Sequence, residues 1–235
     1  MRRLVKAAGR RILPRWRLRP AGLIPAEMLR RIDHRGILLI HVPKTAGTSL
    51  TNLLYGDDIK HRPAFDVAAL YPVRFLRYLK IAVVRDPIDR FLSAYDYLKQ
   101  GGTTSADASF CARHLSQFDD VNDFVAAWAN DDFRREMMSY YHFQPQVFYV
   151  TCGGRCIVDR LVRFERLEDD LSEVFGERII LPERNLTEGP RTNLSDLSQA
   201  SVAFIMHCYH QDQLLWSNCT GKQVFGQRIR CFGEF

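Results

Sequence analysis

The stretch Ile37-Leu38-Leu39-Ile40-His41-Val42-Pro43-Lys44-Thr45-Ala46-Gly47-Thr48-Ser49-Leu50 constrains the fold more than any other part of the chain. Ile37 to Val42 is a mostly apolar run, which suits a strand buried on both faces. Pro43 cannot donate a ladder hydrogen bond, so the strand should stop there. A lysine, small residues, one glycine and hydroxyls follow. Leu50, Leu53 and Leu54 then recur at helical spacing, and Gly56 reads as a helix stop. The order is strand, small-residue turn, helix N-terminus. Such a turn aims backbone N–H groups and the positive end of a helix at one spot, where a phosphate or sulfate would sit.

A second unit repeats this order. Ile81 to Val84 is a short β-rich run ending at Arg85. Asp86-Pro87 reads as an N-cap followed by a proline at the first helical position. Ile88, Phe91, Leu92, Tyr95 and Leu98 form one helix face, and Gly101-Gly102 ends it. A third unit runs from a strand over Cys156 to Phe164 into a helix over Glu165 to Phe175. Between the units, residues 103–118 read as a loop and residues 57–75 as polar and mixed, with a helical turn at Val67 to Leu70. Asp119 or Asp120 caps a helix through Trp128. Residues 133–150 are rich in aromatics. Residues 182–194 read as a polar loop, Ser195 to Trp216 as one long helix and residues 217–235 as a tail. Strand-helix units in series predict an α/β fold, a P-loop-type parallel sheet flanked by helices. Ligands of such sheets bind at the carboxyl ends of the strands, where Lys44 and Arg85 both fall.

The chain of 235 residues is expected to form one elaborated domain over residues 36–235, preceded by a basic arm over residues 1–35. Charge divides the same way. Residues 1–35 carry 11 Lys/Arg and 2 Asp/Glu, while the remainder carries 22 and 25. An arm of this kind is either a solvated tail or a contact for anionic membrane. Its last part, Glu27 to Ile32, reads as a short helix. A nucleic-acid partner would need a basic face on the folded part, so none is expected. No run approaches the ~20 apolar residues of a membrane span, and no signal-peptide core follows the first arginines. A cytoplasmic protein is the expectation, with peripheral membrane contact through the basic arm as the alternative to a solvated tail. Among Cys111, Cys152, Cys156, Cys208, Cys219 and Cys231 only Cys152 and Cys156 are closely spaced. That pattern points to free thiols rather than a zinc site.

In the turn after the first strand the lysine precedes the glycine, the reverse of the Gly-Lys-Ser/Thr order that holds Mg²⁺ and ATP. The segment His41 to Ser49 resembles the 5′-phosphosulfate loop of sulfotransferases. It most resembles the membrane-type carbohydrate branch that includes the heparan/uronosyl 2-O-sulfotransferases and bacterial relatives. Val84-Arg85-Asp86-Pro87-Ile88-Asp89-Arg90-Phe91-Leu92-Ser93-Ala94-Tyr95 resembles that family's 3′-phosphate motif, and Arg163 to Leu171 resembles a downstream family segment. The resemblance implies the sulfotransferase fold and the donor 3′-phosphoadenosine 5′-phosphosulfate (PAPS), with 3′,5′-adenosine bisphosphate as product. It assigns Lys44, Thr45, Ala46, Gly47, Thr48 and Ser49 to the 5′-phosphosulfate, and Arg85 and Ser93 to the 3′-phosphate. It implies an acceptor hydroxyl, on a carbohydrate, and no metal.

Sulfuryl transfer to a hydroxyl needs a base for the hydroxyl proton, and histidine suits that task near neutral pH. His61 lies between the two cofactor motifs, where the family's carbohydrate members carry a catalytic histidine, although the chain lacks the closely spaced histidine pair of the uronosyl enzymes. His142, in Tyr140-Tyr141-His142-Phe143-Gln144-Pro145-Gln146, is the second candidate. That aromatic-amide stretch reads either as an acceptor pocket or as a core helix edge. His41 reads as structural. Two other readings remain: an ATP-dependent P-loop kinase, and a relative that binds nucleotide or glycan without turnover.

Overall fold

The apolar runs seen in the sequence become the strands of a parallel sheet. The computed structural model describes residues 23–181 and 191–219. In chain order the first elements are α1 (Ala26–Arg35), β1 (Ile37–Ile40), α2 (Gly47–Tyr55), α3 (Ala64–Leu70), α4 (Pro72–Arg77), β2 (Leu79–Val84) and α5 (Pro87–Lys99). Then follow α6 (Ser105–Phe110), α7 (Val121–Ala127), α8 (Asp131–Ser139), α9 (Gln146–Val150), β3 (Thr151–Cys152), β4 (Arg155–Cys156) and β5 (Arg160–Arg163). The last are α10 (Leu167–Phe175), α11 (Gln199–Cys208) and α12 (His210–Ser217).

Among the described residues, β1, β2 and β5 form a parallel sheet with β2 in the centre, and β3 pairs β4 as a separate hairpin. Ile40 lies opposite Ala82, and Val84 opposite Arg163. Ile81, Ala82, Val83 and Val84 are all buried, as a strand covered on both faces requires. This register puts the turn after β1 and the turn after β2 at one edge of the sheet. Asp86 caps α5 as its sequence suggests, accepting from the N–H groups of Ile88 and Asp89.

Two cores flank this edge. One packs the helices on the sheet around Leu39, Leu50, Ile81 and Leu161. The other is aromatic and sits between α5, α7 and α11, around Phe91, Phe124, Trp128, Phe143 and Tyr209. A buried ion pair borders the aromatic core. Arg90 lies 3.7 Å from Asp212, and both side chains are fully buried. Arg90 also donates to the carbonyls of His142 and Gln144 at 3.0 Å each. Asp212 accepts from the N–H groups of Gln146 and Val147. The pair thus fixes the backbone of residues 142–147.

Several segments depart from expectation for physical reasons. β1 ends at Ile40 rather than Val42, because the Val42 N–H turns back to the Ile40 carbonyl. Residues 103–118 are not a loop. Thr104 caps α6, and a π-helical turn over Cys111–Leu115 follows, burying Phe110 and Leu115. The long helix expected over Ser195 to Trp216 is a 3₁₀ turn, then α11 and α12, broken at Tyr209. Tyr209 leaves the helical line so that its hydroxyl reaches the Phe143 carbonyl at 2.6 Å. The expected strand over Cys156 to Phe164 is split between β4 and β5, and the helix after it begins at Leu167 behind a 3₁₀ turn. Residues 57–75 hold α3 and the start of α4, and residues 133–150 hold most of α8 and all of α9.

The arm boundary expected at residue 35 also moves. α1 extends to Arg35 and buries Met28 and Ile32 in the sheet core, so residues 26–35 pack as part of the domain. Cys111, Cys152, Cys156 and Cys208 are free thiols. Cys231, residues 1–22, most of the 182–194 loop and residues 220–235 lie outside the described residues.

Replacing Arg90 by Met should leave Asp212 as an uncompensated buried charge and cost about 3–5 kcal/mol in a urea unfolding titration. A loss below about 1 kcal/mol would show that the pair does not fix this part of the fold.

Candidate active site

Beyond β1 the chain curls through two left-handed residues that are not glycine, Lys44 at φ 67° and Ala46 at φ 59°. Such residues cost on the order of 1–3 kcal/mol each and persist only where their surroundings hold them. Here the Thr45 hydroxyl donates to the Val42 carbonyl at 2.9 Å. Gly47 packs directly on His41: a Cβ at this glycine would lie 1.9 Å from the imidazole. The buried His41 is in turn 3.1 Å from Asp58 through Nδ1. That contact with His41 holds the Asp58 carboxyl down to about 2 against the opposing effect of burial. His41 is therefore structural: it shapes the turn from beneath.

The curl ends in the N-terminus of α2, which no side chain caps. Uncapped first-turn N–H groups and the helix dipole make a cradle for an anion. Of the residues expected in the cradle, Thr48 is exposed, Lys44 and Ala46 are half-buried, and Thr45, Gly47 and Ser49 are buried. The Thr45 hydroxyl is turned inward, onto the Val42 carbonyl.

Arg85 begins the turn after β2 and touches this loop, with Nη1 donating to the Lys44 carbonyl at 3.4 Å. Its backbone is clamped by the Gln146 side chain, whose Oε1 accepts from the Arg85 N–H at 2.9 Å and whose Nε2 donates to the Arg85 carbonyl at 2.8 Å. Its guanidinium lies 4.4 Å over the Phe164 ring. Glu165 accepts from the Asp86 N–H at 2.7 Å and from the Trp216 indole at 3.1 Å, bracing the same corner. Burial lowers the Arg85 pKa, and Arg85 Nε is buried with no hydrogen-bond partner among the described residues. Lys44 is brought down to about 8, by burial first and by Arg85 second, while Asp107 and Asp96 oppose the shift. Its ammonium sits 3.9 Å over the Tyr97 ring. Two adjacent cations, each partly stripped of water, are what an anionic ligand would neutralise. Ser93 is half-buried on α5, and no hydrogen bond ties it to Lys44 or Arg85.

The two candidate bases, 81 residues apart in the chain, are neighbours in space: the rings of His61 and His142 lie 6.1 Å apart. The His61 ring is also 4.1 Å from His41 and 5.3 Å from Tyr141. His61 Nδ1 lies 3.2 Å from the His41 carbonyl. A carbonyl can only accept, so Nδ1 carries the hydrogen and Nε2 keeps a lone pair. Burial, with His41 and His142 next, lowers the His61 pKa well below its ordinary value, so the ring is neutral at neutral pH.

His142 is buried among Tyr97, Tyr140 and Tyr141. Burial brings it to about 4, against the pull of Asp107. Its Nε2 lies 3.4 Å from Asp107 Oδ1, and neither ring nitrogen has a well-formed hydrogen bond among the described residues.

Asp107 is the residue that the sequence reading missed. Its side chain is fully buried and accepts from four hydroxyls: Tyr97 at 2.9 Å, Thr104 at 2.7 Å, Tyr140 at 2.6 Å and Tyr141 at 2.7 Å. Burial pushes its carboxyl up, but His142 and the Tyr140, Tyr141 and Thr104 hydroxyls outweigh burial and hold it far below the usual range. Gly102, at φ 62°, allows the close approach, since a Cβ there would fall 2.3 Å from that of Asp107. The signal was present as Thr104-x-x-Asp107, a helix-start pattern inside the supposed loop. The amides of Gln144 and Gln146 prove to be internal braces. Gln144 Oε1 accepts from the Tyr149 hydroxyl at 3.1 Å, so the stretch is a core edge at those positions.

A family model described as "Sulfotransferase family" matches residues 28–216. No curated protein matches the chain. No solved structure matches it either.

The Lys44 ammonium, followed by NMR at its ¹³Cε, should titrate with a midpoint of about 8. Asp107→Asn removes a carboxylate that favours the charged form, so it should move the midpoint lower still. A midpoint near that of free lysine, roughly 10.4, would contradict the buried-cation account.

Proposed function

The chain belongs to the sulfotransferase family, and we propose that it moves a sulfuryl group from PAPS to an acceptor hydroxyl on a carbohydrate. One observation carries the reading. Lys44 and Arg85 are adjacent, desolvated cations at the carboxyl edge of the parallel sheet, beside an uncapped helix N-terminus. The residues fit the donor. The cradle of Lys44, Thr45, Ala46, Gly47, Thr48 and Ser49 suits the 5′-phosphosulfate end. Arg85, whose Nε has no partner among the described residues, suits the 3′-phosphate, with Ser93 on the helix that follows it. When bound, PAPS supplies the activated sulfuryl group.

The chain's own residues would do the rest. Lys44 and the first-turn N–H groups of α2 hold negative charge at the turn, in a partly dry setting where such contacts are strong. His61 receives the acceptor's proton at Nε2, because Nδ1 is already committed to the His41 carbonyl. The half-buried rings of Tyr97 and Tyr141 border the histidines. His142 lies one ring further in, where Asp107 orients it.

Labelled sulfuryl transfer from PAPS, screened over sugar, lipid and small-alcohol acceptors, tests the reading. His61→Ala should lower turnover by roughly 10²–10⁴-fold while keeping the thermal stabilisation given by adenosine bisphosphate. Lys44→Ala should lose both. Retained turnover in His61→Ala would transfer the base role to His142. Stabilisation by ATP-Mg²⁺ alone would sink the PAPS reading.

Anion affinity should also follow pH. Lys44 is charged below about 8, so adenosine bisphosphate should bind well there and more weakly as pH rises through that value. Lys44→Arg keeps its charge and should remove this alkaline loss. An unchanged alkaline limb in Lys44→Arg would show that another group titrates.

A further inference from the structure

Eight large apolar side chains stand exposed among the described residues, and four of them, Leu23, Leu70, Val73 and Leu76, belong to one corner of the fold. Three of these are the most exposed of the eight: Leu23 at 75%, Val73 at 73% and Leu76 at 83%. Val73 and Leu76 sit three residues apart on α4, so they share a face. Leu70 ends α3 just before the turn at Tyr71. The Ile24 N–H donates to the Tyr71 hydroxyl at 2.7 Å, which brings Leu23 to the same corner.

The sequence that leads to this corner is strongly basic. The 22 residues that lead into Leu23 contain eight Lys/Arg and no Asp/Glu. Arg77 is exposed next to Leu76. The carboxylate that touches α4, Asp33, is already neutralised: Arg74 donates to it at 2.6 and 2.8 Å, and the Tyr78 hydroxyl at 2.9 Å. The exposed apolar groups here are aliphatic tips, with the Tyr71, Phe75 and Tyr78 rings half-buried beside them, a poor match to the buried aromatic anchors of a shaped protein partner. They do fit a surface that needs no shape match, and the charge says that this surface is negative.

We propose that this corner docks on an anionic lipid bilayer. Leu23, Val73 and Leu76 enter the headgroup layer, and the basic segment before Leu23 lies against acidic headgroups. The two signals act together, since neither a few aliphatic tips nor a polybasic segment alone holds a protein on a membrane stably. Among the described residues no helix is long and apolar enough to cross a membrane, so this is contact in the plane of the surface.

Co-sedimentation of the full chain with phosphatidylcholine vesicles, with and without phosphatidylglycerol, tests the proposal. Partition should be at least about tenfold stronger with phosphatidylglycerol and should fall steeply with added salt. Val73→Glu/Leu76→Glu and Arg15→Gln/Arg17→Gln/Arg19→Gln should each reduce it at least about tenfold. Both variants change exposed or arm positions, and their unfolding midpoints serve as the check that they fold. Wild-type binding by the Val73→Glu/Leu76→Glu variant would overturn the proposal, as would equal partition onto neutral vesicles or none onto either. A lipid-free dimer in sedimentation velocity that the same double variant disperses would overturn it too, by making the patch a contact between copies.

Discussion

Lys44 and Arg85 repel one another, yet the fold keeps them adjacent and partly dry. Neither would stay there without restraint. The parallel register of β1 and β2 brings their turns to one edge. The Gln146 amide clamps the Arg85 backbone in both directions, and Phe164 lies under its guanidinium. Tyr97 covers the Lys44 ammonium. Left-handed backbone at Lys44 and Ala46 adds strain at the same place. Like charges near one another in a low-dielectric setting are unfavourable until an anion arrives. The repulsion is thus stored where an anion would relieve it, which is why the edge reads as a binding site rather than as a brace.

The histidine pair is joined to this edge through Tyr97 and Asp107. The Tyr97 ring faces Lys44 and its hydroxyl donates to Asp107. Asp107 also receives Tyr140 and Tyr141 and stands beside His142. One buried carboxylate therefore orders three aromatic rings around His142, which neighbours His61. Arg90 and Asp212, on the far side of the 142–147 backbone, set the same segment from behind. The Lys44–Arg85 edge and the histidine pair are joined by one continuous set of buried contacts, in which Arg85 Nε and the His142 ring nitrogens have no hydrogen-bond partner among the described residues.

The parts of this arrangement that depend on local spacing were legible in the sequence. The strand, turn and helix around Lys44 and the Asp86 cap after β2 follow from residue order alone, and the structure keeps both. So does the α/β class. What was illegible depends on contacts between distant segments. The α6 region looked like a loop because its polar residues are used inwardly by Asp107 and Thr104. The break at Tyr209 follows from a hydroxyl reaching Phe143, 66 positions away in the chain. His61 and His142 each stood as a lone histidine, and only the fold makes them a pair. The helix over residues 26–35 seemed to belong to a charged arm because its exposed arginines outnumber the two side chains it buries.

The central claim is that this edge holds two separate anionic groups, one at Lys44 and one at Arg85. Calorimetric titration with 3′,5′-adenosine bisphosphate and with adenosine 5′-monophosphate tests it most directly, since the two ligands differ only in the 3′-phosphate. The account predicts that the bisphosphate binds at least about 100-fold more tightly, and that Arg85→Ala reduces this advantage to less than about tenfold, because a charged hydrogen-bonded contact is worth roughly 1.5–3 kcal/mol. Equal affinity for the two ligands, or an advantage untouched by Arg85→Ala, would contradict it.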